Sequence, residues 1–568
     1  MEQPTGPDGA VVLAKHRTQF GDSYIAQPII NVSSDGTQVL FHSTWGEYQQ
    51  VVSTYDIQPG RRVELHASGN VMLRRTGTTS IALFDSTSSS TPIAGTQTTI
   101  GAFDTLIVSP EAGQSLQLSL DFSAGTPVPK GGVLEFDGAN SNADRLTLLN
   151  AANSGTWNWS VTGEGTGQVR GTSTGLIRFS GIESLTGSEG SDVFHISPSA
   201  RWQGAISGGS GVDRLNFGAF TTGVSASLRD GSVSFEGNSF VGEIALFENI
   251  SGGSGEDTLI GDNGANSLDG GAGDDTIGGE GGDDVIAIGF GNDSIDGGTG
   301  IDLVVAQRDS DFQLSDTALV SLFGSDLMQR IELASLTGGD GNNLLDTREF
   351  SGSVTLLGGD GNDTLVDASG SDSLVGGNGD DVYRLIASGA DLLSESVNGG
   401  DDLVDYSLAN GRVTVDLGRA TQQIVTPNHR LTFGTAIERL RGSRFADVVT
   451  VLTADAALVR QVDGGVNDDP TLLDTLRVQN GATTWTLSNS TGGMAVGNSS
   501  LTPIQFIGFE SLAGGNSDDA FVLAPGVMFD GVVDGGNGKD SLDWSQFAIG
   551  RAVTLNDNGT TGFAGSTC

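Results

Sequence analysis

Residues 252–305 read GGSGEDTLI GDNGANSLD GGAGDDTIG GEGGDDVIA IGFGNDSID GGTGIDLVV, six nonapeptides in unbroken register. The sixth position is Asp257, Asn266, Asp275, Asp284, Asp293 and Asp302; the eighth is Leu259, Leu268, Ile277, Ile286, Ile295 and Val304. Glycine richness alone would scatter acids and aliphatics along the chain. A fixed spacing of nine means that a polar turn and a short apolar strand alternate as one structural unit.

Glycines permit left-handed turns and close backbone approach, and the single aliphatic points inward, so two nonapeptides close one coil of eighteen residues. Turns eighteen apart then stack on one edge: Asp257, Asp275 and Asp293 in one row, Asn266, Asp284 and Asp302 in the other. An ion fits between successive turns. Ca²⁺ takes about six to eight hard oxygen ligands, which sixth-position side chains and turn carbonyls together supply. The carbonyl candidates are those of Gly252, Ser254, Gly255, Gly261, Asn263, Gly270, Ala272, Gly273, Gly279, Gly281, Gly297 and Thr299. Asn266 offers a neutral oxygen and marks a weaker site, and Ile288 stands where a first-position glycine is expected.

Outward from this array the repeat continues in broken form. Residues 336–346 carry Asn343 at the sixth position, and 356–384 carry Asp363, Asp372 and Asp381. Single copies hold Asp192, Asp213, Asp519 and Asp540; these divide between weak ion sites and plain turns. A longer repeat lies over the first: FSGIESLTGSEGSDVF (179–194) recurs around 246–259, 331–345, 437–449 and 508–521, with Glu183, Glu248, Glu332, Glu438 and Glu510 in matching places. These glutamates lie outside the nonapeptide register, which favours a turn-capping role over metal ligation. Segments such as 224–237, 411–418 and 483–490 alternate apolar and polar residues and read as wider coils inserted between repeats.

The predicted fold is all-β: a parallel β-roll or β-solenoid of nonapeptides with wider irregular coils, preceded by a small antiparallel β domain. The expected division is a flexible segment at 1–21, the antiparallel domain at 22–128 and an irregular solenoid entry at 133–250. The regular array follows at 251–305, an irregular repeat-containing stretch at 306–397, and degenerate coils at 398–568 that read as interrupted at Cys568. SAGTPVPKGG (123–132) marks the first boundary, and Trp157 and Trp159 are expected to pack rather than to form a sugar platform.

Composition narrows the partners. The chain has 70 acidic and 27 basic residues, a net charge of −43, and lysines only at 15, 130 and 539. Such a charge opposes binding to nucleic acid or anionic membranes and makes the ion-free chain repel itself. Cys568 is the only cysteine, so no internal disulfide staples the fold. No run of about eighteen apolar residues and no signal-peptide pattern is present.

The array, with its outliers at 338–346 and 358–384, resembles the RTX or hemolysin-type calcium-binding repeat of Gram-negative secreted proteins. The resemblance implies metal-position residues at Asp257, Asp275, Asp284, Asp293, Asp302, Asp363 and Asp381, with Asn266 a departure. It implies several calcium ions per chain, a β-roll that folds on meeting extracellular calcium, and type I-like export without a signal peptide. That family spans toxins, proteases, lipases, epimerases, adhesins and surface-layer proteins, so the repeat does not select an activity.

Catalytic signatures are sparse. None of the five histidines forms HExxH. GTSTG (171–175) spells a nucleophile elbow around Ser173 without a strand-to-helix context, and the glycine-rich turns lack a Walker-type GK(S/T). The expected function is an extracellular calcium-binding structural or adhesive repeat protein with a cell-surface or polysaccharide ligand. The alternative is the non-catalytic calcium-binding portion of a secreted carbohydrate-active or lipid-active enzyme, which paired acids near an aromatic-lined groove would favour.

Overall fold

A computed structural model of the chain describes residues 29–32, 38–45, 48–56, 62–85, 90–100, 104–128, 131–138, 143–151, 155–172, 174–235, 242–395, 399–419, 421–433, 437–452, 459–479, 481–497, 503–529, 531–547, 553–556 and 564–567. The segment at 1–21 and Ser173 lie outside them. Among the described residues every regular element is a β-strand, and no helix is long and apolar enough to cross a membrane. The chain divides into two compact units: Met1–Asp192 with Gly209–Gly211, and Val193–Gly208 with Val212–Cys568.

The first unit corrects the expectation of a purely antiparallel domain. Its first three strands, Ile29–Val32, Gln38–Trp45 and Tyr48–Asp56, do form an antiparallel meander. From Arg62 onward the main pairings are parallel. Arg62–Ala67, Thr105–Pro110, Val133–Asp137 and Leu176–Ser180 make one ladder, and Gly69–Arg75, Leu116–Asp121, Arg145–Leu149 and Ser184–Thr186 make another. Antiparallel pairing persists only locally, as between Gly69–Arg75 and Ser80–Phe84. The reason is physical: alternation along Thr105–Pro110 or Leu116–Asp121 puts one face on a core, and that pattern is the same whichever way the partner runs. Trp157 and Trp159 are fully buried; Trp157 meets Phe122 edge-on at 5.0 Å, and Trp159 Nε1 donates to Asp192 Oδ1 at 2.7 Å. Both indoles serve packing.

In the second unit, consecutive nonapeptide strands are dealt alternately to two parallel ladders. Asn249–Ser251, Ser267–Asp269, Val285–Ala287 and Leu303–Gln307 form one. Thr258–Ile260, Thr276–Gly278 and Ser294–Asp296 form the other. The registers pair Leu268 with Ile286 and Ile286 with Val304, and Leu259 with Ile277 and Ile277 with Ile295, each pair separated by eighteen residues. All six aliphatics are at most 2 % exposed, while their strand neighbours reach solvent. One inward aliphatic per nine residues is a thin core against the entropy of ordering the turns, so the turns themselves must contribute to cohesion.

The wider coils are antiparallel insertions that return to the same ladder. Phe312–Ser315, Ala318–Ser321 and Gly324–Gln329 run back and forth, and the last of them pairs in parallel with Ser294–Asp296. Thr483–Leu487, Gly493–Gly497 and Ile504–Ile507 repeat the arrangement around a fully buried Trp485, which stacks on Phe521 at 5.5 Å.

Candidate cation-binding turns

The sixth-position residues form rows in which each backbone N–H donates to one side-chain oxygen of the next coil. Asp257 N–H donates to Asp275 Oδ1 at 2.7 Å, Asp275 N–H to Asp293 Oδ1 at 2.9 Å, and Asp293 N–H to Asp326 Oδ1 at 3.0 Å. The second row runs from Asn266 to Asp284 to Asp302, at 2.7 and 2.9 Å. A third passes from Asn343 through Asp363 and Asp381 to Asp402. The two stacks expected within the array are thus in place, and every one of these side chains is buried.

Each repeated glutamate takes the same acceptor role where a wider coil intervenes. Glu183, Glu248, Glu332, Glu438 and Glu510 accept through Oε2 from the N–H of Asp144, Asp213, Asp302, Asp402 and Asp474, at 2.7–3.1 Å. The longer side chain spans the extra distance, which is the capping role expected of them.

The other sixth-position oxygen separates the turns into two kinds. In the first turn of each run it is bonded within its own turn: Gly253 N–H donates to Asp257 Oδ2 at 2.6 Å, Asp262 N–H to Asn266 Oδ1 at 2.8 Å and Gly339 N–H to Asn343 Oδ1 at 2.8 Å. In the later turns Asp275, Asp284, Asp302, Asp363 and Asp381 each keep a buried Oδ2 with no hydrogen-bond partner. Backbone conformation explains the split. The later turns hold the second and fourth positions in the left-handed region, as at Gly271 (φ 92°) with Gly273 (φ 126°) and Gly298 (φ 101°) with Gly300 (φ 145°), whereas Gly253 and Gly255 are not left-handed. Rotation of the second residue removes its N–H from the aspartate. Even Glu280 adopts φ 71° at that position, a conformation that costs a non-glycine residue about 1–2 kcal/mol. An isolated copy at 535–540 shows the same open form, with φ 80° at Gly536, φ 136° at Gly538 and Asp540 Oδ2 unbonded.

First-position glycines border a cradle at these oxygens. A methyl group on Gly279 would collide with Asp284 Oδ2 and the Gly297 carbonyl oxygen, and one on Gly358 with Asp363 Oδ2 and the Gly376 carbonyl oxygen. On Gly270 it would collide with Asp275 Oδ2. Buried carboxylate oxygens without a hydrogen-bond donor stand there beside turn carbonyls, a set suited to a hard cation. Burial, reinforced by neighbouring carboxylates, pushes Asp275, Asp284 and Asp381 up to about 7, while accepted backbone N–H bonds pull the other way. The same desolvation raises Asp257, Asp302 and Asp363.

One gap contains a cation of the chain's own. Arg308, 7 % exposed, donates from Nη2 to the carbonyls of Ile288, at 3.0 Å, and Gly289, and from Nη1 to Ser321 Oγ at 3.1 Å. Its charge acts on both Asp293 and Asp326. The irregular nonapeptide that begins at Ile288 is therefore the one whose turn carbonyls are occupied by a guanidinium.

The remaining sequence candidates fall around this frame. Ser254 N–H donates to the Phe220 carbonyl at 2.8 Å, Ala272 bridges Phe290 in parallel, and Gly281 bridges Thr299 with the Asn263 side chain close by. Asp372 belongs to another row: it accepts from Val354 N–H at 2.8 Å and Ala368 N–H at 3.1 Å, and donates its own N–H to Asp391. Sequence reasoning did not reach Arg308, Asp326, Glu395 or Asp402; coils of unequal length hide their register.

The family model described as the RTX calcium-binding nonapeptide repeat (four copies) matches residues 251–286, 289–312 and 355–384. No curated protein matches the chain. Among solved structures, the extracellular lipase LipA from Serratia marcescens is similar at 17 % identity and a TM-score of 0.14, over 45 % of this chain and 38 % of that one; a likeness that low carries no argument. Repeat spacing, stacked aspartates and family match coincide on the same segments, and those segments are RTX calcium-binding nonapeptide repeats.

Proposed function

We propose that the chain is an extracellular calcium-binding structural or adhesive protein whose repeat region folds and stiffens on Ca²⁺, its two parallel ladders being the sheets of a β-roll. The observation that carries this reading is the set of buried, unbonded Oδ2 atoms at Asp275, Asp284, Asp302, Asp363 and Asp381. Burial of an uncompensated carboxylate is costly, and five in matching turns call for a shared counter-charge. Bound calcium would supply that charge, held by these aspartates and the first-position carbonyls beside them. Asp257, Asn266 and Asn343 close the rows at one end with their own turn N–H groups, and Asp293 works with Arg308. The net charge of −43 fits a protein kept extended and unfolded until it meets calcium outside the cell. Export by a type I-like route and a polysaccharide or cell-surface ligand complete the proposal.

The test compares Asp275→Asn with Asp519→Asn by equilibrium dialysis of calcium against the full chain. Asp519 sits in a closed turn, where Gly515 N–H already donates to its Oδ2 at 2.9 Å. Asp275→Asn is expected to lower affinity about tenfold or more at one or two sites, and Asp519→Asn to leave the isotherm unchanged. Equal losses would remove the distinction between open and closed turns.

A further inference from the structure

The row through Asn343, Asp363 and Asp381 ends on an irregular coil, where the register brings in a residue that no nonapeptide contains. Leu357 pairs with Val375, which sets Gly358 beside Gly376; Val375 pairs in turn with Ser394, which sets Gly376 beside Glu395. A methyl on Gly358 would meet the Gly376 carbonyl, but one on Gly376 would meet Asp381 Oδ2 and, at 2.7 Å, Glu395 Oε1. A carboxylate thus arrives where a glycine carbonyl stands one coil earlier. Asp402 closes the group from the far side, its Oδ1 accepting from Asp381 N–H at 2.9 Å.

One oxygen each from Asp381, Glu395 and Asp402 lie within 4.8 Å of one another. The three residues are 1 %, 9 % and 2 % exposed. Asp381 Oδ2 provides an independent pointer: it is buried, has no hydrogen-bond partner, and faces the Gly376 cradle together with Glu395. We propose that Asp381, Glu395 and Asp402 form a three-carboxylate site for one hard divalent cation, Ca²⁺, which is the tightest cation site among the described residues. The regular gaps bring only two sixth-position carboxylates together, and affinity in oxygen cages rises with carboxylate count. The site shares Asp381 with the calcium reading above and rests on that reading for the identity of the ion. Glu395 and Asp402 are its own.

The structure also supplies a reporter. The Tyr383 hydroxyl accepts from Gly376 N–H at 2.7 Å and donates to the Ser394 carbonyl at 3.2 Å, which puts a phenol against the site. Terbium(III), a hard cation that takes up energy from a nearby excited tyrosine, is the probe. It is titrated into the EDTA-treated full chain and then displaced with calcium. The first equivalent is expected to give sensitised emission, and Glu395→Gln to shift its midpoint by about tenfold or more. Asp402→Asn should do the same; Asn266 and Asn343 show that this backbone accepts asparagine at the sixth position, so it guards against a variant that fails to fold. Both variants titrating like the wild type, while the wild type binds calcium, would overturn this site and leave the array reading intact. A wild type that binds neither ion would overturn both.

Discussion

Acid is expected to stand in for calcium: in EDTA the β signal of the repeats, low at about pH 7.5, rises toward that of the calcium-loaded chain as the pH falls to about 5, and calcium affinity falls over the same range. Burial holds the carboxyls of Asp275, Asp284, Asp372, Asp381 and Asp474 at about 7 in the folded chain, against an ordinary value of 3.8. Because these values are raised, the folded state retains protons that the unfolded state releases. The stabilisation is complete below about pH 3.8 and is lost as pH rises through about 7. Protons and calcium therefore substitute for one another in the turns, and calcium added at pH 6 should release protons in proportion to the ions bound. Far-UV circular dichroism in EDTA across pH, with a pH-stat record of calcium addition, checks both halves. A calcium-free β signal that falls on acidification would mean that the aspartates are ionised and paired without metal.

Arg308→Met, just beyond the array, is expected to cost about 3–5 kcal/mol of stability at limiting calcium. It removes the only side-chain cation seen among the turns at 288–293 and 324–326, leaving Asp293 and Asp326 buried with the Ile288 and Gly289 carbonyls unpaired. Methionine keeps much of the stem's packing, so the loss reports charge and hydrogen bonding more than volume. The emptied gap then resembles its neighbours. Calcium should consequently recover more stability in the variant than in the wild type, read as a steeper rise of Tm with calcium concentration. An equal calcium response in both would show that the guanidinium does not occupy a cation gap.

Much of this was legible in the sequence because the repeat is strict where it matters. A spacing of nine gave the inward aliphatics from Leu259 to Val304, the eighteen-residue registers and both aspartate rows. The off-register position of the five glutamates gave their capping role. Conformation within the turn was not legible: Gly253 and Gly271 occupy the same place in the repeat, yet only Gly271 is left-handed. The neighbour decides. Gly271 and Gly273 pack against the carbonyls of Gly253 and Gly255, an approach that a Cβ would block, whereas the 252–257 turn rests on the non-repeat stretch around Phe220. Arg308 and Asp326 escaped notice because an antiparallel insertion puts 33 residues between Asp293 and its acceptor. Glu395 escaped for a similar reason, its coil being 19 residues long where the array has eighteen. The N-terminal parallel ladders were hidden because burial alternation carries no strand direction.

The most direct test of the calcium account is a titration of the full chain from an EDTA-treated state, followed by far-UV circular dichroism, with magnesium in parallel at neutral pH. The account predicts a cooperative gain of β signal with calcium and none with magnesium, since the open turns offer a flexible all-oxygen cage rather than the tight octahedron that magnesium requires. A spectrum already folded in EDTA and unchanged by calcium would contradict it, leaving the buried aspartates as protonated turn acceptors.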